Sequence, residues 1–574
     1  MTLFESGDPR PIHFMGIAGA GMSGLALLAR HQGAEVTGCD KDPQGAADLA
    51  ALGVVIWRGH DPGHVSGARA VVVTAAVSRE HPELEQAGAL GIPVVRRADA
   101  LGQAVASGTV VGVAGTHGKT TTTAMVTEAL AAAGRNPTGL AGGRVAPWGG
   151  NARLGVRDLF VVEADEFDRA FLSLAPTVAV VNNVEADHLE CYGTVQALED
   201  AFAQFAGGAR RVIAGADDDG AGRVAKRVSG PVWRVGLARE ADVRIADPEL
   251  DDAGSRARVV LPDGRELRLA LRVPGLHNLR NAGAALAVAC ELGADLEACV
   301  AALARFAGVA RRFERVGEAR GVTVVDDYAH HPTEVRATLA AARQAFPRRR
   351  VVAVFQPHLY SRTALHGEAL GRELAAADVV VVAPVYAARE QPIPGVTADL
   401  VARGAALAGA TTVAVRERRG LTERVGEARG VTVVDDYAHH PTEVRATLAA
   451  ARQAFPRRRI VAVFQPHLYS RTALHGEALG RELAAADVVV VAPVYGAREQ
   501  PIPGVTADLV ARGAARAGAT TVAVRERAAL TERVAGTVRA GDVVFTLGAG
   551  DITAVGSELL QQLGNGEAGK RRRG

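Results

Sequence analysis

The sequence predicts an α/β fold divided among several domains. Valine-rich apolar runs alternate with helix-forming segments, which is typical of parallel β-α-β units. Hydrophobic residues make up 48% of the chain and aromatic residues only 4%, so aliphatic sequence is available for large cores. The 574 residues exceed the roughly 250–300 at which a single core stops growing. We therefore expect three or four domains.

Charge and composition argue against several functional classes. The formal net charge is only +2, from 65 basic and 63 acidic residues, so we expect no nucleic-acid partner. The four cysteines, Cys39, Cys191, Cys290 and Cys299, contain no C-x-x-C pair, which argues against zinc and against a disulfide framework. The N-terminus lacks a signal-peptide pattern, and runs such as "ADVVVVAPVY" are too short to span a bilayer. We expect a cytoplasmic protein without a membrane partner.

The first predicted domain, residues 1–107, carries a glycine-rich turn. "PIHFMGIAG", "EVTGCD", "ARAVVVTAAV" and "IPVVRR" are predicted strands, and "MSGLALLARHQG" is a predicted helix. Gly19, Gly21 and Gly24 have G-x-G-x-x-G spacing, which allows a tight turn and lets a diphosphate approach a helix N-terminus. Three interpretations stay open: a UDP-type diphosphate, NAD with Asp40 on the ribose, or a packing turn without ligand.

A phosphate-binding loop opens the second predicted domain, residues 108–312. In "GTVVGVAGTHGKTTTT", Val113 occupies the first glycine position of the P-loop pattern, but Gly115, Gly118, Lys119 and Thr120 supply its other parts. Backbone N–H groups would hold phosphates, the Lys119 ammonium would meet their oxygens, and the Thr120 hydroxyl would bind Mg²⁺. The alternative is a glycine turn with a surface lysine.

Acidic residues and one histidine follow two further predicted strands of this domain. They are Glu163, Asp165 and Glu166 after "LFVV", and Glu185, Asp187 and His188 after "VAVVNNV". The carboxyl ends of parallel strands meet at one edge of a sheet, and oxygen-rich surroundings suit Mg²⁺. Residues 207–272 are predicted as an antiparallel insert with a hairpin at Asp263-Gly264. "LRVPGLHNLRNAGAALAVACELG" is predicted as a loop leading into an apolar helix.

The C-terminal part of the chain contains a near-identical duplication. Residues 314–425, the first copy, recur as residues 423–534, the second copy, with an offset of 109 residues between, for example, Asp326 and Asp435. Only the first copy follows "GVARRFERV", and only the second continues into a predicted strand, glycine-rich turn and helix, "DVVFTLGAGDITAVGSELL". Each copy therefore lacks one end of a domain.

These motifs together resemble those of the Mur ligases. "GIAGAGMSG", "GTHGKTTTT", "EADE", "NNVEADH", "HNLRNAGAAL", "RRFE", "DDYAHHPTEV", "FQPHLYSRT", "AREQPIPGVT" and "LGAGD" follow one another in that family's order. The resemblance implies a Rossmann-like UDP-sugar-binding domain, a central P-loop ATPase domain and a Rossmann-like C-terminal domain, here partly duplicated. It also implies ATP-dependent ligation of L-alanine to UDP-N-acetylmuramate through an acyl phosphate in peptidoglycan precursor synthesis, with ATP and Mg²⁺ as cofactors.

The resemblance assigns roles to residues by motif. The ATP phosphates would contact Gly115, Thr116, His117, Gly118, Lys119, Thr120 and Thr121, and the adenine side Asn278 and Asn281. One Mg²⁺ would be bound by Thr120 and Glu163 and a second by His188. Arg312 and Asp327 would lie where the third domain closes on the nucleotide, and His331 and Arg362 would place alanine and the muramyl carboxylate. The equivalents in the second copy are Asp436, His440 and Arg471. The UDP-sugar would contact Gly16, Gly19, Gly21, Met22 and Ser23.

The predicted third domain occupies residues 313–421, lacking its final strand and helix, and again residues 422–564, with a complete end; residues 565–574 form a basic tail. We hypothesise an accidental duplication, since joining Val316 to Gly426 leaves 465 residues with each motif once. Two alternative functions remain open. One is a murein-peptide-recycling ligase that attaches a tripeptide, and the other is a nucleotide-binding relic whose catalysis the duplication has impaired.

Overall fold

A computed structural model describes residues 3–4, 7–74, 77–78, 80–388, 390–414, 423–436, 438–496, 499–548 and 550–565. The junction between the copies, residues 415–422, and the basic tail from residue 566 lie outside these ranges. The chain divides into two compact units. One comprises Met1–Ala353, Leu365–Val380 and Arg403–Thr412, and the other Val354–Ala364, Val381–Ala402 and Val413–Gly574. The second copy lies wholly in the second unit, whereas the first copy contributes to both.

A five-stranded parallel sheet begins the first unit. Its strands are Ile12–Met15 (β1), Val36–Asp40 (β2), Val55–Arg58 (β3), Ala70–Val73 (β4) and Val94–Arg96 (β5), and its helices are Ala20–His31 (α1), Ala47–Ala51 (α2), Pro82–Ala89 (α3) and Arg97–Val105 (α4). The strand order is β3-β2-β1-β4-β5, with every neighbouring pair parallel. The glycine turn follows the fully buried β1, where the order reverses, which is where ligands bind in such sheets.

A ten-stranded sheet follows in the same unit. Its strands are Thr109–Ala114 (β6), Thr138–Val145 (β7), Gly150–Arg153 (β8), Leu159–Glu163 (β9), Val178–Val181 (β10), Arg211–Gly215 (β11), Val232–Gly236 (β12), Val243–Asp251 (β13), Gly254–Val260 (β14) and Glu266–Leu271 (β15). Its helices are Lys119–Ala132 (α5), Leu189–Tyr192 (α6), Val195–Ala206 (α7), Asp219–Ala225 (α8), Leu276–Glu291 (α9) and Leu296–Leu303 (α10). The order is β15-β14-β13-β12-β11-β10-β6-β9-β7-β8.

The predicted antiparallel insert is correct only in its second half. Strands β13, β14 and β15 pair antiparallel, and the β14–β15 hairpin turns at Asp263-Gly264, where Gly264 has φ +84°. The prediction was wrong for residues 207–242, because β11 and β12 extend the parallel sheet beside β10. The buried side chains of Val212 and Ile213 explain the difference, since they pack in two different cores, as the residues of a parallel strand covered on both faces do.

The first copy forms two separate small sheets. Its strands are Glu314–Ala319 (β16), Val322–Asp326 (β17), Val352–Phe355 (β18), Val379–Val382 (β19) and Thr411–Ala414 (β20), and its helices are Pro332–Ala345 (α11), Tyr360–Leu374 (α12) and Asp399–Leu407 (α13). β16 pairs only with β17 within one sheet, and β18, β19 and β20 make up the other.

The second copy forms one six-stranded sheet. Its strands are Glu423–Ala428 (β21), Val431–Asp436 (β22), Ile460–Phe464 (β23), Val488–Val491 (β24), Thr520–Ala523 (β25) and Val543–Leu547 (β26), and its helices are Pro441–Ala454 (α14), Tyr469–Leu483 (α15), Asp508–Arg516 (α16), Leu530–Ala535 (α17) and Thr553–Asn565 (α18). The order is β21-β22-β26-β23-β24-β25, and β26 pairs parallel with both β22 and β23. The closing strand is therefore central to this sheet.

The missing central strand changes the burial of identical valines. Val322, Val324, Val352 and Val354 of the first copy are 62%, 52%, 49% and 72% exposed. Their equivalents Val431, Val433, Val461 and Val463 are 2%, 0%, 0% and 0% exposed. The same local sequence is thus a buried strand beside β26 and an exposed one without it. Tertiary pairing, and not local propensity, sets the burial of these strands.

None of the helices in the described ranges combines the length and the apolar character needed to cross a membrane.

Candidate nucleotide and ligation site

The loop between β6 and α5 has the backbone of a phosphate-binding turn. Gly115 and Gly118 have φ of +138° and +80°, a region that L-residues with side chains rarely adopt. A Cβ on Gly118 would lie 2.7 Å from Asn281 Oδ1, so this position also requires the absence of a side chain. Helix α5 starts at Lys119, and its first N–H groups face the turn. This geometry can bind an anion at a helix N-terminus.

Lys119 is held inside the site by oxygen acceptors. Its Nζ donates to the carbonyl oxygens of Gly115 (2.7 Å) and Thr116 (3.2 Å) and to Glu166 Oε1 (2.9 Å). Burial alone would lower the pKa of Lys119, but the charges of Glu166, Asp165 and Glu163 outweigh it and raise that pKa. A charged ammonium is therefore maintained where a phosphate would lie.

Thr120 and Glu163 form a pair of hard oxygen donors. Thr120 Oγ1 donates to Glu163 Oε1 at 3.0 Å, and the N–H of Gly142 donates to Glu163 Oε2. Burial raises the pKa of Glu163. A cation beside this carboxylate would offset the cost of burying its charge. The two oxygens suit Mg²⁺, which binds through one or two protein oxygens and phosphate groups.

His188 follows β10 with a left-handed backbone, φ +55°. Its Nε2 lies 3.8 Å from Asp187 Oδ2, and its ring packs edge-on against Phe167. Thr120 and Glu163 are joined directly by a hydrogen bond. The role of His188 as a ligand of a second metal ion remains a prediction.

The duplicated loop of the first copy lies against the P-loop within the first unit. His117 Nδ1 is 3.2 Å from Glu334 Oε1, and His117 Nε2 is 3.6 Å from Glu185 Oε2. Burial alone would lower the pKa of His117, but the neighbouring carboxylates of Glu185 and Glu334 raise it to about 9. Thr333 Oγ1 donates to Glu185 Oε2 at 2.6 Å. This loop is therefore tied to the central domain by charged contacts.

His331 is the buried histidine of that loop. Its Nδ1 lies 3.4 Å from Glu185 Oε2 and accepts from the N–H of Thr333 at 3.4 Å, which caps α11. Ligand atoms of His117, Glu185 and His331 all lie within 4.8 Å of one another. Burial and the neighbouring charge of His117 lower the pKa of His331 to about 4, so its imidazole is neutral near pH 7.

Asp327 and Arg312 stabilise the start of the first copy. Asp327 accepts from the backbone N–H groups of Phe313 and Ala329, each at 2.8 Å, and burial raises the pKa of Asp327. Arg312 Nη1 lies 3.5 Å from Glu334 Oε1. The hinge sequence and the duplicated loop are therefore joined in the first copy.

A cavity of about 380 Å³ opens beside the P-loop. Apolar side chains and the predicted asparagines both line it, and the lining includes Val180, Ile213, Val235, Phe306, Asn278, Asn281, Asp217 and Arg312. Asn278 Nδ2 donates to the carbonyl oxygen of Pro274 at 2.7 Å. An apolar slot with a few polar groups suits a nucleoside.

Arg362 and the equivalents in the second copy belong to the second unit. Arg362 is buried, with Nη1 3.5 Å from His358 Nδ1. In the second copy, Asp436 accepts from the N–H of Ala438 at 2.8 Å, as Asp327 does from Ala329, and the His440 ring packs edge-on against His475. The roles of Arg362, Asp436, His440 and Arg471 remain predictions.

The glycine turn after β1 is braced from β2. Gly16 has φ +72° and its N–H donates to the carbonyl oxygen of Cys39 at 2.8 Å. Asp40 Oδ2 accepts a hydrogen bond from the N–H of Ala18 at 3.0 Å. This carboxylate oxygen therefore supports the turn and is already engaged, which disfavours its use as a ribose ligand. Met22 and Ser23 are buried, so a ligand at the turn would meet their backbone.

Sequence reasoning missed three groups at the site. Glu334 was overlooked although it stands three residues after His331, the spacing of a capping box, which the structure contains. Asn182 Nδ2 donates to Thr122 Oγ1 at 3.0 Å behind the P-loop. A Cβ on Gly21 would lie 2.9 Å from Arg97 Nη1, which places a cation at the glycine turn. Asn182 opens the "NNVEADH" motif, although no role was predicted for it, and no local sequence pattern marks Arg97.

Family comparisons match three successive parts of the chain. The Mur ligase family, catalytic domain, matches residues 11–109, and the Mur ligase middle domain matches residues 113–289. The Mur ligase, glutamate ligase domain matches twice, at residues 311–425 and 422–550. The two matches correspond to the two copies.

Curated relatives resemble the chain over most of their length. The UDP-N-acetylmuramate–L-alanine ligase of Kineococcus radiotolerans is 49% identical over 409 residues, which is 68% of this chain and 85% of that protein. The enzyme of the same name from Renibacterium salmoninarum is 46% identical over 406 residues, 69% of this chain and 86% of that protein. A solved structure, a pseudomurein peptide ligase type C from Methanothermus fervidus, has a TM-score of 0.51 at 15% identity, covering 96% of this chain and 100% of that one, and shows the fold alone.

Proposed function

The chain belongs to the Mur ligase family, and we propose that it joins L-alanine to UDP-N-acetylmuramate with conversion of ATP to ADP and phosphate. Its architecture is the three-domain one of that family with a partly duplicated C-terminal domain. The observation that carries the proposal is the buried Lys119–Thr120–Glu163 constellation beside a nucleoside-sized cavity. It is supported by relatives of that name with 46% and 49% identity.

The chemistry requires activation of a carboxylate. A carboxylate does not accept an amine at neutral pH, because oxide would have to leave, so the muramyl carboxylate first takes the γ-phosphoryl group and becomes an acyl phosphate. Lys119 neutralises charge on the transferring group, because its ammonium is kept protonated among carboxylates. A magnesium ion held by Thr120 and Glu163 would add charge stabilisation at the phosphates.

The second step forms the amide bond. The amine of L-alanine attacks the acyl carbon, a tetrahedral oxyanion forms, and phosphate leaves. We propose that His331 positions the alanine amine as a neutral imidazole, and that Arg362 meets a substrate carboxylate. The loop of residues 327–334 supports this role because its contacts with His117 and Glu185 place it beside the P-loop. Excluding water from this region would protect the acyl phosphate.

The amine donor distinguishes the proposed function from its alternatives. With MgATP and UDP-N-acetylmuramate, we expect ADP release only when L-alanine is added, measured in a coupled assay. Turnover with a tripeptide in place of L-alanine would instead identify a murein-peptide-recycling ligase. Binding of ATP and UDP-sugar without turnover by any donor would identify a catalytically impaired relic.

The two copies supply matched variants for locating the ligation loop. His331→Asn retains a side chain that can cap α11 but removes the imidazole. We expect it to lower kcat/KM for L-alanine by about 100-fold, because a misplaced amine loses near-attack geometry. The matched His440→Asn is expected to change kcat/KM by less than about twofold, because in our proposal only the first copy places the amine. A larger loss in His440→Asn than in His331→Asn would show that the second copy closes the site.

A further inference from the structure

A cluster of sulfur, nitrogen and carboxylate groups lies in the first sheet domain, outside the proposed ligation site. Cys39 is the penultimate residue of β2, Glu83 is in the first turn of α3, His13 is in β1, and His60 follows β3. Cys39, Glu83 and His13 are fully buried. We call these four residues the Cys39 cluster.

Three atoms of the Cys39 cluster are spaced like the ligands of one metal ion. Cys39 Sγ lies 3.3 Å from His60 Nδ1 and 3.5 Å from Glu83 Oε2, and His60 Nδ1 lies 3.0 Å from that same oxygen. Ligands around a tetrahedral Zn²⁺ are separated by about 3.3–3.6 Å when metal–ligand distances are about 2.0–2.3 Å. The three atoms therefore form one face of such a tetrahedron after small shifts.

His13 offers a further nitrogen near Cys39 and Glu83. One of its ring nitrogens lies within 4.8 Å of ligand atoms of both Cys39 and Glu83. His13 Nδ1 is engaged with Thr37 Oγ1 at 3.1 Å, and His13 Nε2 is buried without a hydrogen-bond partner. A buried nitrogen with no partner is costly, and a metal ion would satisfy it.

The charge balance of the cluster also favours a cation. Within the part of the chain that the structure describes, Glu83 forms ion-pair contacts with His60, His64 and His81 at 3.0, 3.0 and 3.8 Å, and with no lysine or arginine. A buried carboxylate needs a compensating charge. A bound cation would supply that charge.

We propose that Cys39, His60, Glu83 and His13 bind one Zn²⁺ ion as a closed structural site. One thiolate, two imidazoles and a carboxylate are typical zinc ligands and disfavour Mg²⁺, which prefers oxygen. Four protein ligands leave no open position for substrate. Because the Cys39 carbonyl oxygen accepts from Gly16 and Ile17, the ion would fix the strand end that supports the glycine turn.

The test measures metal binding without relying on activity. The full-length protein is stripped with a chelator and titrated with Zn²⁺ in excess Mg²⁺, so that the P-loop carboxylates do not compete. We expect one Zn²⁺ per chain, and an affinity at least about 100-fold weaker in Cys39→Ser and His60→Ala, since even outer-shell changes cost 10–100-fold. Cys299→Ser is the matched control, a fully buried cysteine whose Sγ donates to the Ala129 carbonyl oxygen.

Cobalt substitution of the unaltered protein keeps the proposal testable if the variants fail to fold. We expect Co²⁺ to give a thiolate-to-cobalt charge-transfer band and the intense visible bands of tetrahedral coordination. The proposal is overturned if Cys39→Ser binds Zn²⁺ as tightly as the unaltered protein, or if Co²⁺ gives no thiolate band. Either result would identify the cluster as a hydrogen-bonded network around Glu83 without a metal ion.

Discussion

Replacing Lys119 with alanine is expected to lower L-alanine-dependent ADP release by at least about 1,000-fold, the scale of losing a preorganised charge at a transferring phosphoryl group. The Lys119 ammonium is held at the P-loop by the carbonyl oxygens of Gly115 and Thr116 and by the Glu166 carboxylate. The assay follows ADP with saturating UDP-N-acetylmuramate and L-alanine. Amide formation is checked in parallel by mass spectrometry.

Two companion variants separate catalysis from stability. Lys119→Ala leaves Glu166 buried without its cation, so the double variant Lys119→Ala, Glu166→Gln is expected to regain thermal stability but no activity. Lys226→Ala removes an exposed lysine at the end of α8 and is expected to leave ADP release unchanged. Amide formation at the unaltered rate in Lys119→Ala would refute the phosphoryl-transfer proposal.

Local sequence signals predicted the parts of the site that depend on a single turn. The strand, glycines and lysine of the P-loop are consecutive in the chain, and the structure puts Thr120 beside Glu163 because β6 and β9 are parallel neighbours. The contact between His117 and Glu334 could not be predicted in this way. It joins elements more than 200 residues apart, and only the docking of the first copy brings them together.

The Cys39 cluster shows a second limit of sequence reasoning. The absence of a C-x-x-C pair argued against zinc, because that rule reads ligands that are close in sequence. His13, Cys39, His60 and Glu83 are instead spread over β1, β2, the loop after β3 and α3. Parallel pairing of β1 with β2 and of β2 with β3 brings the strand ends together, and His60 then contacts Glu83 of α3. Metal ligands contributed by separate strands are visible only once strand order is known.

The duplication shows that near-identical sequence can have different structures. The sequence alone shows the duplication and its two unequal ends. The separation of the first copy into two sheets could not be predicted in this way, because it depends on where β26 pairs. Apolar valines on an unpaired strand edge expose surface that favours association. The first copy therefore combines the native hinge with an unfinished sheet.

Excising residues 317–425 is expected to produce a more stable and more active 465-residue enzyme. The hinge sequence "ARRFERV" would then be followed directly by a C-terminal domain that contains β26. Four valines that are now 49–72% exposed would be replaced by equivalents that are at most 2% exposed. At about 1 kcal/mol for each half-buried valine, this removes roughly 4 kcal/mol of unfavourable exposure. We expect weaker binding of a hydrophobic dye and fewer protease-sensitive sites. We also expect kcat/KM to be at least about tenfold higher, which corresponds to about 1.4 kcal/mol of activation free energy.

A second excision tests whether the closing strand is the cause. Deleting residues 415–523 also leaves 465 residues but keeps the body of the first copy, joined to the end of the second. Because the copies differ at few positions, both excised proteins are expected to behave alike. In the protein lacking residues 317–425, His440→Asn should become as damaging as His331→Asn is in the full chain, because its loop now follows the only hinge. If neither excised protein exceeds the full chain in activity or stability, the missing strand is not what limits the first copy.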